Sequence, residues 1–134
     1  MRPGSLRLAG YAAIFSQRDG ARDTILPGAF ARTLAERRVP VPLHWQHRPD
    51  QCIGEVERIA EDARGLRVIA RIDNPDSRAA AMLRARRLDG LSFGYRARRF
   101  RHTEEGRELA DIELFEVSLV THPLQDRARI HMIA

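Results

Sequence analysis

The chain has 134 residues, enough for one domain with a single core and too few for two ordinary domains, so we expect residues 1–134 to form one domain. All 23 basic residues are arginine and one residue is cysteine, which excludes a Ser-Lys dyad, a Schiff-base enzyme, a Walker-type phosphate loop, an internal disulfide and a cysteine-rich zinc site. The formal net charge of +5 favours encounter with anionic partners such as nucleic acid or an acidic protein surface, unless the arginine excess only reflects coding bias.

The first part of the chain predicts a strand, a short helix and a second strand. Apolar residues alternate at period two over residues 6–15, which is typical of a strand. A short helical stretch follows Pro27-Gly28 and is predicted to reach Arg38, because Pro40 disfavours helical geometry in the residue before it. The run Val41-Pro42-Leu43-His44-Trp45 is predicted to be extended.

The middle of the chain predicts a hairpin and a second helix. Residues 52–60 and 65–72 form the two arms, joined by a segment rich in turn-forming residues. Asn74-Pro75-Asp76 then provides a capping side chain, a proline at the first helical position and an acid in the first turn. We expect the helix that begins there to run to about Leu88.

The last third predicts two further strands, over about 91–100 and 108–121, on either side of the turn Glu104-Glu105-Gly106. The second strand is apolar on both faces near its end. A strand of that kind is covered on both sides, so we expect it to lie centrally in a barrel or under a helix.

Ser92 is a candidate nucleophile because Gly90-Leu91-Ser92-Phe93-Gly94 places its hydroxyl between two glycines in a strand-like run. We expect this serine to be exposed, on the strand face opposite the apolar one. A glycine such as Gly94 allows a substrate backbone to approach and can leave N–H groups to stabilise an oxyanion. The alternative is a small polar residue on a solvated strand face.

Two other nucleophile arrangements fit less well. The G-x-S-x-G pattern also occurs in α/β-hydrolases, but there a helix follows the serine, whereas residues 95–100 continue as a strand. Cys52 is close to His47 in sequence but precedes an apolar strand residue, so we expect it to be a small buried side chain.

His47 is a candidate general base, since it follows an apolar strand and precedes a predicted loop over residues 48–51. A structural role is the alternative for a lone histidine. His44 lies three residues earlier, but the extended chain around it lacks the helical context of a histidine metal pair, and we predict no metal and no cofactor.

Glu116 lies among apolar residues in the run 112–120, where burial leaves its charge in need of a partner. A neighbouring imidazole would meet that need, and the carboxylate would fix the tautomer of His47, as the third member of a catalytic triad does. The alternative is an acid on an edge strand, paired with one of the arginines.

Together these segments resemble the prohead maturation protease family of tailed phages. The resemblance extends over nearly the whole chain, including an N-terminal part that contains Gly10-Tyr11-Ala12 and residues 25–30. Three further segments carry it in order: Trp45-Gln46-His47 followed by Ile53-Gly54, then Gly90-Leu91-Ser92-Phe93-Gly94-Tyr95, then Glu116-Val117-Ser118-Leu119-Val120-Thr121-His122-Pro123.

The resemblance implies a serine endopeptidase related in fold to the herpesvirus assembly proteases: mainly β with α, a closed or nearly closed β-barrel surrounded by a few helices. Ser92 then becomes the nucleophile, His47 the general base and Glu116 the third member, with Asp111 and His122 as weaker substitutes for that third place. The family's oxyanion region corresponds to residues 124–129, and Arg127 is its candidate here.

The resemblance further implies a function, in which the enzyme cleaves a scaffold protein or the scaffolding segment of the major capsid protein during prohead assembly. Its origin would be a phage, a prophage or a gene transfer agent. Arg96 and Arg98, on the strand face of Ser92, are candidates for steering acidic substrate segments, with plain solvated charges as the alternative.

The rival hypothesis is a capsid-associated or nucleic-acid-binding module without catalytic activity, which the arginine excess favours. The chain has few aromatic residues, at 6%, and none is interleaved with arginines for base stacking, so we do not expect nucleic-acid binding. A homodimer is compatible with the sequence. No apolar run of membrane-spanning length and no signal-peptide pattern is present, so we expect a cytoplasmic protein. The resemblance implies that this is the cytoplasm of the bacterial host, with the protein located inside assembling proheads.

Overall fold

The computed structural model describes residues 4–134, which form an eight-stranded sheet and two short helices. The mainly-β prediction is confirmed, and every predicted strand is present. In chain order the elements are β1 (Leu6–Ile14), β2 (Asp23–Ile25), α1 (Ala31–Glu36), β3 (Pro42–Trp45), β4 (Arg48–Glu61), β5 (Gly65–Ile72), α2 (Arg78–Arg84), β6 (Gly90–Thr103), β7 (Gly106–Val120) and β8 (Ile130–Ile133).

Strand β7 is the centre of the sheet. The strand order is β2-β7-β3-β4-β5-β1-β8, and β6 also pairs with β7 along most of its length. Because β2 and β3 run parallel to different parts of β7, this strand has neighbours on both edges. Its last four residues, Val117–Val120, are all buried, which confirms the central position predicted from their apolar character.

The sheet curls but does not close. Between the start of β6 and the segment that leads into β8, the described chain forms the isolated bridge of Gly90 with Arg129 and two backbone hydrogen bonds, from Leu91 N–H to the Ala128 carbonyl at 2.9 Å and from Ile130 N–H to the Asp89 carbonyl at 2.8 Å. A turn in which Ala128 N–H bonds to the Gln125 carbonyl, at 3.0 Å, then takes the chain out of register with β6. The fully closed barrel is therefore wrong, and the observed sheet is a curled half-barrel.

Both helices are shorter than predicted. The first ends at Glu36 because Arg37 is already extended, with φ −72° and ψ 132°. The second begins after Ser77, whose hydroxyl accepts from Ala80 N–H at 3.2 Å, whereas the Asn74 side chain closes a local turn by accepting from Asp76 N–H. None of the helices in the described part of the chain is long and apolar enough to cross a membrane.

Two short strands, β2 and β8, are absent from the sequence-based prediction. Each has four residues or fewer, too few for an apolar alternation to stand out. Their pairing is nevertheless what places the loops around β6: β2 runs beside β7, and β8 beside β1. The core they help to enclose contains the fully buried side chains of Phe30, Leu43, Leu91 and Leu119.

Candidate active site

His47 lies in a tight two-residue turn between β3 and β4. Trp45 pairs with Arg48 across this hairpin, which leaves Gln46 and His47 as the turn. Both have left-handed backbones, with φ of 51° and 59°. Positive φ at both central residues is the signature of a type I′ turn, and it costs a residue other than glycine roughly 1–2 kcal/mol. The predicted loop over 48–51 is wrong, since β4 already begins at Arg48.

Contacts to β7 and the residues just beyond it hold this strained turn. Gln46 N–H donates to the Leu119 carbonyl at 2.9 Å, and His47 N–H donates to Ser118 Oγ at 3.2 Å. The Gln46 amide also bonds to Thr121, accepting from its N–H at 3.2 Å and donating to its hydroxyl at 3.4 Å. These bonds fix the backbone of His47, so that its ring has a defined direction.

The His47 ring is bound to Glu116. His47 Nδ1 lies 2.6 Å from Glu116 Oε1, and the hydroxyl of Ser118 donates to Glu116 Oε2 at 2.6 Å. Ser118 is fully buried, and its oxygen is also the acceptor for His47 N–H. The carboxylate of Glu116 therefore has a partner on each oxygen. Among the arginines of residues 4–134, none pairs with this acid, which was the alternative considered for it.

The pKa of Glu116 lies below its usual value. Burial acts in the opposite direction and is the largest single influence, but the hydrogen bonds from His47 and Ser118, with the charges of His47 and His44, outweigh it. An ionised carboxylate only accepts hydrogen bonds, so Nδ1 of His47 is the nitrogen that donates to Glu116. In the neutral imidazole the other ring nitrogen, Nε2, then has a free electron pair, as a general base requires.

Gly94 makes room for this carboxylate. It stands opposite Glu116 in the β6–β7 register, and a Cβ atom at residue 94 would lie 2.4 Å from Glu116 Oε1. The absence of a side chain at Gly94 thus leaves space for the Glu116 carboxylate. This role differs from the oxyanion or substrate-binding role predicted from the sequence. That predicted role stays a prediction.

Ser92 stands directly opposite Ser118 in the same register. Opposed residues of an antiparallel pair project to the same face, so the Ser92 and Glu116 side chains emerge on the face that the His47 ring reaches. The expectation of an exposed serine is wrong: Ser92 is only 7% exposed, since β6 is covered at this end. Among residues 4–134 no hydrogen bond joins the Ser92 hydroxyl to His47.

The three candidate arginines have different surroundings. Arg96 is exposed and forms an ion pair with Glu113 at 2.7 Å, while Arg98 is bound to both Glu36 and Glu113. Arg127 is exposed, and it lies next to Ala128, whose carbonyl accepts from Leu91 N–H. Arg127 itself lies in the turn closed by the bond from Ala128 N–H to the Gln125 carbonyl, where the segment leaves the register of β6. Arg96 is already paired.

The other residues considered from the sequence are placed outside this arrangement. Asp111 forms an ion pair with Arg32 at 3.2 Å, and His122 is exposed on the segment after β7. His44 Nδ1 is buried without a hydrogen-bond partner. The prediction that Cys52 is buried is wrong, because its side chain lies on the exposed face of β4 and donates to the Gly54 carbonyl. Within the described chain no three histidine, cysteine or acidic residues are grouped for a metal ion.

Three residues of the site were missed by the sequence analysis: Ser118, Gln46 and Thr121. Ser118 has a sequence signal, since a hydroxyl two residues after a buried acid on one strand shares its face. Gln46 and Thr121 have none, because a Gln-His pair is not a usual type I′ sequence and their contact joins distant segments.

Comparison with known proteins identifies the family of the chain. The family described as caudovirus prohead serine protease matches residues 3–134. The prohead protease of Enterobacteria phage HK97 is 32% identical over 128 residues, which cover 90% of this chain and 57% of that protein. The chain therefore spans little more than half the length of this relative.

Solved structures of viral proteases share the fold. The varicella-zoster virus protease superposes with a TM-score of 0.66 at 20% identity, covering 95% of this chain and 63% of that one. The bacteriophage T4 capsid assembly protease gives a TM-score of 0.67 at 15% identity, covering 87% of this chain and 81% of that one. At these identities the likeness concerns the fold alone, and it agrees with the herpesvirus-protease-like architecture.

Proposed function

This chain belongs to the caudovirus prohead serine protease family, as the sequence resemblance implied, and from that premise we propose that it is a serine endopeptidase with Ser92, His47 and Glu116 as its catalytic triad. The observation that carries the proposal is the 2.6 Å contact of His47 Nδ1 with Glu116 Oε1, on the strand face that Ser92 shares. It supports a role for His47 as an oriented base on the face of the candidate serine.

In the proposed reaction, His47 Nε2 takes the proton of the Ser92 hydroxyl as the serine oxygen attacks the scissile carbonyl carbon. The imidazolium that forms is stabilised by Glu116 and then protonates the leaving amine, which gives an acyl-enzyme and a free amino terminus. A water molecule, deprotonated by the same nitrogen, then attacks the acyl-enzyme and releases the carboxylic acid product. His47 Nε2 returns the proton to the Ser92 oxygen as that oxygen leaves. Backbone N–H groups near Arg127 are the proposed donors to the oxyanion.

The proposed substrate is a capsid protein segment or a scaffold protein. The HK97 relative is named a prohead protease and the T4 structure a capsid assembly protease, and this chain's family carries the same description. Cleavage would take place inside assembling proheads in the bacterial host cytoplasm. The alternative, a capsid-associated module without catalysis, requires no activated serine.

The experiment is intact-mass analysis after treatment with a serine-directed peptide phosphonate, at high protein concentration. We expect one adduct on the wild type, none on Ser92→Ala and His47→Ala, and slower labelling of Glu116→Ala. Cys52→Ser is the matched control, since it removes the exposed thiol and leaves the triad intact. An unlabelled wild type, or an adduct that survives in Ser92→Ala, would overturn the proposal and favour the non-catalytic module.

A further inference from the structure

A basic hollow lies on the protein surface beside the candidate active site. It has a volume of about 290 Å³ and is lined by Tyr11, Arg64, Arg67, Arg127, Arg129 and His131. Small-molecule sites usually measure roughly 300–1,000 Å³, so the hollow is of a size for side chains rather than for a large cofactor. Its lining contains four arginines and no carboxylate.

Three of these arginines have charge available for a ligand. Arg129 is bound to Asp89 at 2.8 Å and to Asp126 at 3.1 Å. In contrast, the guanidinium groups of Arg64, Arg67 and Arg127 form no hydrogen bond or ion pair with any residue in the range 4–134.

Asp62 interacts electrostatically with Arg67, but its carboxylate already accepts hydrogen bonds from other groups. It accepts from the Tyr11 hydroxyl and from the backbone N–H groups of Arg64 and Gly65. Planar guanidinium groups without internal partners bind carboxylates in a bidentate manner, so the hollow has unused capacity for acidic groups.

The hollow is continuous with the strand that carries the candidate nucleophile. Arg129 bridges to Gly90 at the start of β6, and its carbonyl accepts from Tyr11 N–H at 3.2 Å. Arg127, which also lines the hollow, precedes Ala128, whose carbonyl accepts from the N–H of Leu91, the residue before Ser92. A peptide held at Ser92 and extended across β1 therefore passes over the hollow.

We propose that the basic hollow binds acidic side chains of the protein substrate, close to the bond that is cut. This inference rests on the proposed protease function and adds the substrate's charge preference to it. The bound groups are aspartate or glutamate carboxylates, held by Arg64, Arg67 and Arg127.

The lining favours a peptide over nucleic acid. Single-stranded nucleic acid is usually bound by basic residues together with aromatic faces on which bases stack. Of the residue types phenylalanine, tyrosine and tryptophan, only Tyr11 is among the described residues that line the hollow. The Arg64 guanidinium covers its ring, at 5.1 Å from the ring centre. His131 stands tilted against the same ring, at 6.1 Å. The hollow thus provides charge without a free stacking surface.

Binding of a fluorescein-labelled hexaglutamate peptide to Ser92→Ala protein, followed by anisotropy at low and moderate salt, tests the proposal. In that background, Arg64→Gln/Arg67→Gln is expected to weaken binding by about tenfold, since the variant loses charge-assisted hydrogen bonds. The matched control is Arg38→Gln/Arg99→Gln, which removes the same charge from two exposed arginines outside the hollow, and it is expected to change binding less than twofold.

Equal weakening by the two double variants, or no binding of hexaglutamate at all, would overturn the proposal. Tighter binding of a ten-nucleotide thymidine oligonucleotide that depends on Arg64 and Arg67 would also overturn it, in favour of a nucleic-acid surface. Phosphonate labelling of Arg64→Gln/Arg67→Gln with Ser92 intact separates the two proposals. If Arg64→Gln/Arg67→Gln forms the adduct and these substitutions do not weaken peptide binding, only the proposal for the basic hollow is refuted. If no form of the protein gives an adduct, the protease proposal is refuted.

Discussion

The backbone of Gly94 lies directly against the carboxylate of Glu116, so close that a Cβ atom at residue 94 would stand 2.4 Å from Oε1, the oxygen that binds His47. A side chain at residue 94 would therefore push the Glu116 carboxylate out of its observed position. Gly94, the second glycine of the Gly-x-Ser-x-Gly segment, thus lets the strand that carries Ser92 pack closely against the Glu116 carboxylate.

Gly94→Ala is expected to displace the Glu116 carboxylate and to break its contact with His47. We expect phosphonate labelling to slow by at least about tenfold and the free energy of unfolding to fall by about 1–3 kcal/mol, as for overpacked sites. Gly20→Ala is the control, because a Cβ atom there would meet Leu124 at an ordinary distance of 3.5 Å. Equal labelling rates for wild type and Gly94→Ala would contradict this assignment.

Ser118→Ala is expected to raise the pKa of Glu116, because the Ser118 hydrogen bond is one of the causes that hold it down. The acidic limb of the labelling rate against pH should then move to higher pH. Thr33→Val also removes a buried hydroxyl, the acceptor of Leu114 N–H at 3.1 Å, and should lower stability without moving the limb. A pH profile of Ser118→Ala that superposes on the wild type would show that Ser118 has only a structural role.

His47→Gly and His47→Ala are both expected to abolish labelling, yet to differ in stability. The φ of 59° at residue 47 is unfavourable for alanine and accessible to glycine. After the greater chain entropy of unfolded glycine is subtracted, we expect His47→Gly to be the more stable by about 1 kcal/mol in urea unfolding. If His47→Ala were the more stable variant, the turn would not be left-handed.

The buried ion pair of Asp23 with Arg107 predicts a pH-dependent part of stability. Its atoms lie 2.8 Å apart in two hydrogen bonds, and these bonds to Arg107, with one from Tyr95, hold the pKa of Asp23 below its usual value despite burial. A lowered carboxyl pKa contributes stability above the unfolded value, about 3.9, that is lost as pH falls through the folded value.

Asp23→Asn should therefore lower the free energy of unfolding by about 2–4 kcal/mol at pH 7, and by less at pH 3, where part of the wild-type contribution is already lost because the pH lies below the unfolded pKa of about 3.9. Urea unfolding at both pH values is the measurement. Asp50→Asn, at an exposed position without an ion pair in the described chain, should change stability little at either pH. An equal loss for Asp23→Asn at pH 7 and pH 3 would contradict the linkage.

Local pattern in the sequence was sufficient to predict six of the eight strands and to select the candidate triad. Alternation in residues 6–15 and 65–72 predicted β1 and β5. This pattern depends only on the burial of one strand face, and it does not depend on which strands lie beside it. An acid in an apolar run predicted that Glu116 would have a partner, and the structure shows that partner to be His47. Their catalytic roles stay predictions.

Tertiary structure decided everything that depends on contacts between distant segments. The strained turn at Gln46 and His47 forms because β7 supplies partners at Ser118, Leu119 and Thr121, which no local propensity contains. The burial of Ser92, the exposure of Cys52 and the open edge of the sheet have the same origin. A sequence specifies which side chains need burial or a partner, but the free energy that places a residue in an unfavourable conformation comes from neighbours that only the folded chain brings together.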